Sequence, residues 1–92
     1  MELLDFRMHD GSRQFYTMQK TIAWNDLISR LERLNRLVVK EFLPSLTLGS
    51  WLEFSFKGYN YCVNEQMGMY WFLVKDPTCP EEILVEVVET LS

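Results

Sequence analysis

Histidine occurs once in this 92-residue chain, at His9, and cysteine twice, at Cys62 and Cys79. One imidazole and two separated thiols cannot supply the four ligands of a zinc site. Serine–histidine–acid chemistry would have to run through His9, which no motif supports. No calcium-binding loop, phosphate-binding loop or dinucleotide fingerprint is present. The sequence therefore assigns no catalytic residue, no metal and no cofactor. Two cysteines also exclude a disulfide-dense secreted scaffold.

Long apolar runs are missing as well. The longest, Met69–Val74, is six residues, against the ~20 that a helix needs to cross a bilayer. Glu2, Asp5, Arg7, His9 and Asp10 interrupt any stretch that would read as a signal peptide. Basic residues are scarce: 9 against 13 acidic, for a net charge of −4. That balance speaks against nucleic acid as a partner, because such binding rests mostly on phosphate neutralisation. The expectation is a cytoplasmic protein without membrane or nucleic-acid partners, forming one small domain over residues 1–92.

Hydrophobic residues are plentiful at 48%, with 14% aromatic, enough to build a core rather than a disordered chain. Gly11, Gly58 and Gly68 lie between runs that alternate like strands, the punctuation of hairpins. Leu4, Phe6 and Met8 alternate with Asp5 and Arg7. A two-residue turn at Asp10-Gly11 would pair Met8 with Arg13, Phe6 with Phe15 and Leu4 with Thr17.

Trp24, Leu27, Ile28, Leu31, Leu34 and Val38 then recur at helical spacing, forming one apolar stripe. Pro44 forces an end before it, and Leu37 falls outside the stripe. Ile22 would staple onto Leu27 across the helix start. Arg30, Arg33, Arg36 and Lys40 make a basic face, read as solvated because Asp26 and Glu32 stand four residues before Arg30 and Arg36.

From Gly49 to Lys75 the pattern is a three-stranded meander. A turn at Lys57-Gly58 pairs Phe56 with Tyr59, Phe54 with Tyr61 and Leu52 with Val63. A second turn around Glu65–Gly68 would pair Val63 with Tyr70 and Tyr61 with Phe72. Both turns gather the large residues on one face.

A final helix carries the stripe Ile83, Leu84, Val87, Val88 and Leu91. Pro80 suits its first turn with Cys79 as N-cap, and Thr78 with Glu81 is an alternative capping box. A thiol at a helix N-terminus can be activated by the dipole. Without a CxxC motif or a base placed beside it, Cys79 reads as a capping thiol.

The fold class expected is α+β: an antiparallel sheet, made of an N-terminal hairpin plus the meander, packed with two helices in the order β-β-α-β-β-β-α. Strand order stays open, and so does whether the helices cover one face or both.

The outer face of the meander is the candidate site. It should be polar if it faces water, yet it carries Trp51, Met69, Trp71 and Leu73 beside Glu53, Ser55, Lys57, Asn60, Cys62 and Asn64. Such a patch is either covered within the chain or binds a protein partner or a second copy. The leading expectation is a non-enzymatic protein-interaction or regulatory protein using these four residues, with an acidic last helix (Glu81, Glu82, Glu86, Glu89) as a secondary surface. The alternative is a small-ligand carrier with a pocket lined by Tyr59, Tyr61 and Tyr70 between sheet and helices.

Overall fold

The computed structural model describes residues 2–45 and 49–92. It shows an α+β architecture: six antiparallel strands in the spatial order β1-β2-β6-β5-β4-β3, with two helices. The elements are β1 (Phe6–Arg7), β2 (Arg13–Gln19), α1 (Trp24–Leu31), β3 (Val38–Leu43), β4 (Trp51–Phe56), β5 (Tyr59–Gln66), β6 (Met69–Val74) and α2 (Glu81–Glu89). Every expected element is present in the expected order, and β3 is one more. The N-terminal hairpin joins the meander through β2 and β6.

The meander forms because its turns suit its alternation. Lys57 and Gly58 both take positive φ, 52° and 82°, the conformation of the tight turn that matches strand twist. Phe54 stands opposite Tyr61 and Phe56 opposite Tyr59, as the sequence predicts. The second turn is tighter than expected. Met67 and Gly68 alone make it, with φ of 53° and 74°, so Val63 pairs with Phe72 and Tyr61 with Val74. This differs from the expected pairing by two residues. A two-residue shift preserves the side-chain faces, so the inward set is unchanged.

The first hairpin is a correction. Phe6 pairs with Gln14 and Arg7 with Arg13, one residue away from the expected register. The loop holds three residues rather than two. Met8 N–H bonds Ser12 O at 2.9 Å and Gly11 N–H bonds Met8 O at 3.0 Å, while Gly11 takes φ of 88°. Asp10 Oδ1 accepts both the Ser12 N–H (2.9 Å) and the Ser12 hydroxyl (2.6 Å), a side-chain turn that favours the longer loop. A one-residue slip exchanges faces. Phe6 is therefore 57% exposed while Phe15 is fully buried.

Helix α1 is a second correction. It ends at Leu31, and the chain then turns and enters β3. Leu34 and Val38 sit at helical spacing only by coincidence. Val38-Val39 begins a strand in which Val39 and Phe42 face the core side, opposite Phe54 and Leu52. Two adjacent β-branched residues suit that pleated surface better than a helix.

One core holds these elements together. Trp24, Leu27 and Leu31 of α1, and Leu84, Val87 and Val88 of α2, pack with Phe15, Leu52, Phe54, Phe56, Tyr61, Val63, Tyr70, Phe72 and Val74 of the sheet. Phe54 stacks on Tyr61 at 4.8 Å, and Trp24 meets Tyr70 edge-on at 4.8 Å. The helices also touch each other, since the Thr90 hydroxyl donates to Arg30 O at 2.7 Å. Arg30 donates to Leu91 O and Arg33 to Thr90 O. The expected basic face thus partly serves to satisfy the carbonyls where α2 ends, a favourable place for cations.

Both helices thus lie on one side of the sheet. No described helix is long and apolar enough to cross a membrane.

Candidate functional site

The opposite side of the sheet carries no described element. Its side chains form cross-strand rows set by the register. The central row runs Thr17, Trp71, Asn64, Trp51, Leu43 across β2, β6, β5, β4 and β3. The next row runs Phe6, Gln14, Leu73, Cys62, Glu53, Glu41 across all six strands. Met69 flanks the first row, between Gln19 and Gln66. Trp71 thus stands across from Asn64 rather than from Cys62, as the two-residue shift requires, while Cys62 stands across from Glu53 as expected.

The four predicted residues all lie on this face, and their exposure differs. Trp51, Met69 and Trp71 are half-buried, whereas Leu73 is only 6% exposed. Leu73 and its neighbour Cys62, 3% exposed, are shielded by the large side chains around them. The Trp51 indole lies along its strand, its Nε1 donating to Glu53 at 2.9 Å. Lys75 Nζ stands 6.0 Å from the centre of the same ring. The indole therefore spans the row that contains Cys62 and Leu73, and an amphipathic lysine stem and a carboxylate hold it there.

Three further residues of the face escape a sequence reading confined to the meander. Phe6 arrives through the hairpin slip, and Val38 (56% exposed) and Leu43 (52% exposed) arrive with β3. The signal for Val38 and Leu43 was the β-branched pair Val38-Val39, which favours a strand although Val38 keeps the helical spacing. Together they widen the apolar surface to both edges of the sheet. Its charged complement is Lys40 and Lys75 against Glu41, Glu53 and Asp10, whose carboxylate acts on Cys62 and Lys75. Lys40 Nζ donates to Asn60 Oδ1 at 2.9 Å. Asn64 Oδ1 and Trp71 Nε1 are buried without a hydrogen-bond partner, which makes the middle of the central row costly in the isolated chain.

The other predicted positions have structural roles. Helix α2 begins at Glu81 with Pro80 as its N-cap and no side-chain cap, so neither Cys79 nor Thr78 caps it. Thr78 instead bonds Asp76 Oδ1 through its N–H and hydroxyl, at 2.9 and 2.6 Å. Cys79 is buried, its Sγ 3.8 Å from the Tyr61 hydroxyl. Burial raises the pKa of both thiols, that of Cys62 to about 11. Neither is an activated nucleophile.

Tyr61 and Tyr70 are core residues with packed rings. The Tyr70 hydroxyl donates to Ile22 O at 2.7 Å. Burial pushes its pKa up to about 12 and raises that of Tyr61 as well. In the acidic helix, Glu81 meets Arg13 at 3.1 Å and Glu86 meets Lys57 at 2.7 Å, so half of that expected surface is occupied within the chain.

No protein family, curated protein or solved structure matches this chain.

Proposed function

We propose that the protein is a non-enzymatic interaction module, and that its sheet face opposite the helices receives the same face of a second copy. The observation that carries this reading is the segregation of both helices to one side. It leaves Trp51, Trp71, Met69, Phe6, Val38 and Leu43 facing outward with no described element over them. Apolar faces of this extent are uncommon on monomers and usually mark contacts.

Two arguments favour a second copy over an unrelated protein. The first is charge. The chain carries −4, yet the face holds Lys40 and Lys75 against Glu41, Glu53 and Asp10, one net negative charge, so most of the chain's repulsion lies off the contact. The second is area. Five strands of six to eight residues, spaced ~4.8 Å apart and some 20 Å long, present about 500 Å² per copy. Stacking two such faces buries about 1,000 Å² in total, which reaches the lower range of specific interfaces and fits a micromolar dimer.

Light scattering over a dilution series tests the reading together with Trp71→Glu. The expected result is a dimer mass for the native chain at high concentration and a folded monomer for the variant. A native chain that stays monomeric up to about 1 mM overturns the proposal in favour of a different partner. An unfolded Trp71→Glu overturns it differently, by showing that the indole is core.

A further inference from the structure

At one end of the sheet, a cleft of about 760 Å³ opens between the segment after α1, the β4–β5 hairpin and α2. Its size lies within the range of small-molecule sites. Leu34, with the edge of the almost fully buried Phe56, supplies the apolar lining, and Asn35, Arg36, Ser55, Lys57, Asn60 and Glu86 supply the polar rim. Among the described residues three non-glycines take positive φ: Arg36 (68°), Lys57 (52°) and Met67 (53°). Two of those three are basic, and both line this cleft.

Each sits where the backbone favours another residue. Arg36 is the third residue of a turn closed by Leu37 N–H to Leu34 O at 3.2 Å, a position suited to Gly or Asn. Lys57 is the first residue of the tight hairpin turn, where Asn, Asp or Gly is the usual choice. Keeping two long cations on left-handed backbone costs stability, and such strain concentrates at ligand clamps. The two cations also differ in how they are engaged. Lys57 Nζ contacts Glu86 at 2.7 Å. The exposed Arg36 guanidinium has no ion-pair partner among the described residues.

We infer that this cleft binds a small organic monocarboxylate with an apolar body, its carboxylate held between Arg36 and Lys57. The fork of an arginine suits a carboxylate, and the half-buried Leu34 suits the hydrocarbon end. The rim carries Arg36 and Lys57 against Glu86, one net positive charge. That balances a single carboxylate and leaves a dianionic phosphate in excess beside Glu86. The cleft meets the sheet face at Ser55 and Asn60, but the two cations that hold the carboxylate stand on turns at its rim.

The test is a titration of the 15N-labelled full chain with 4-phenylbutyrate, indole-3-acetate and octanoate, and with the amide of each. The expected result is saturable shifts at the amides of Asn35, Arg36, Lys57 and Gly58 with at least one acid. Its uncharged amide should bind about tenfold weaker or worse. Arg36→Gly keeps the left-handed turn without strain, so it should fold at least as well and still lose about tenfold in affinity. Lys57→Asn, which also tolerates its turn, should do the same. Absence of saturation with every acid up to about 10 mM, equal binding of the amides, or undiminished affinity in both variants would overturn the inference.

Discussion

Trp71 and Phe72 are neighbours on β6 that point to opposite sides of the sheet, so truncating each in turn separates the two faces energetically. Phe72 is fully buried, with its ring 6.3 Å from Phe15 and 5.8 Å from Tyr16. Phe72→Ala removes roughly 150 Å² of buried apolar surface, about 3–4 kcal/mol of transfer energy at ~25 cal/mol per Å². The residual cavity brings the total to about 4 kcal/mol. A chain of this length holds about 5–14 kcal/mol in all, so the variant should lose between a third and most of its stability.

Trp71→Thr is a different case. The indole is half-buried, so its loss costs about 2 kcal/mol by the same area argument. Its Nε1, however, is buried without a partner, and removing that donor returns about 1 kcal/mol or more. Threonine also suits a strand. The net cost in a monomer is therefore about 1 kcal/mol. Urea unfolding followed by circular dichroism, at protein concentrations low enough to dissociate a dimer, reads both. With a slope of about 1–1.5 kcal/mol per molar, the midpoint should fall by about 3 M for Phe72→Ala and by under about 1 M for Trp71→Thr. Equal losses for the two variants would show that the outer face is packed within the chain, and the division into two faces would fail.

Three other perturbations probe the frame around these faces. Glu65 accepts Lys20 Nζ and Trp24 Nε1, both at 2.9 Å, which holds its carboxyl below the ordinary value. A depressed folded pKa stabilises above the unfolded value of about 4.3 and loses that contribution as pH falls through the folded value. Glu65→Gln should therefore lower stability at pH 7 and converge with the native chain as pH falls through the lowered folded value; a constant difference across the range would contradict it. Gly49 takes φ of 80°, and a Cβ there would lie 2.6 Å from Glu65 O, so Gly49→Ala should cost about 2 kcal/mol or more in urea unfolding. An unchanged midpoint would refute the close approach. Arg13 is buried and donates to Leu4 O at 2.7 and 3.0 Å and to Glu81 at 3.1 Å. Arg13→Met should cost about 2–3 kcal/mol, again read by urea unfolding, and a neutral result would mean that Leu4 O finds water.

The meander was legible because two independent local signals agree there: period-two alternation from Trp51 to Val74 and Gly58 and Gly68 at its turns. Its inward face also survives a mistaken turn length, since Met67-Gly68 shifts the pairing by an even step. The first hairpin has no such protection. Asp10-Gly11 suits a two-residue and a three-residue loop alike, and the choice rests on Asp10 folding back onto Ser12. That one-residue difference turns Phe6 outward.

The end of α1 was illegible for another reason. Leu34 and Val38 continue the helical spacing while the Val38-Val39 pair favours a strand, and pairing with β4 decides between them. Of the outer face, Trp51, Met69, Trp71 and Leu73 were readable from alternation alone. Phe6, Val38 and Leu43 depend on long-range strand pairing. The cleft at Arg36 and Lys57 was not readable, because it joins a turn, a hairpin and a helix that are distant in sequence.

The most direct test of the stacked-face account is 19F NMR of the chain labelled with 5-fluorotryptophan, recorded across a concentration series. The chain contains three tryptophans: Trp24 in the core, and Trp51 and Trp71 on the open face. The Trp51 and Trp71 resonances should move together as concentration rises and lose their sensitivity to exchanging H2O for D2O, while Trp24 stays fixed. Three resonances that ignore concentration, in a chain of monomer mass, would contradict the account.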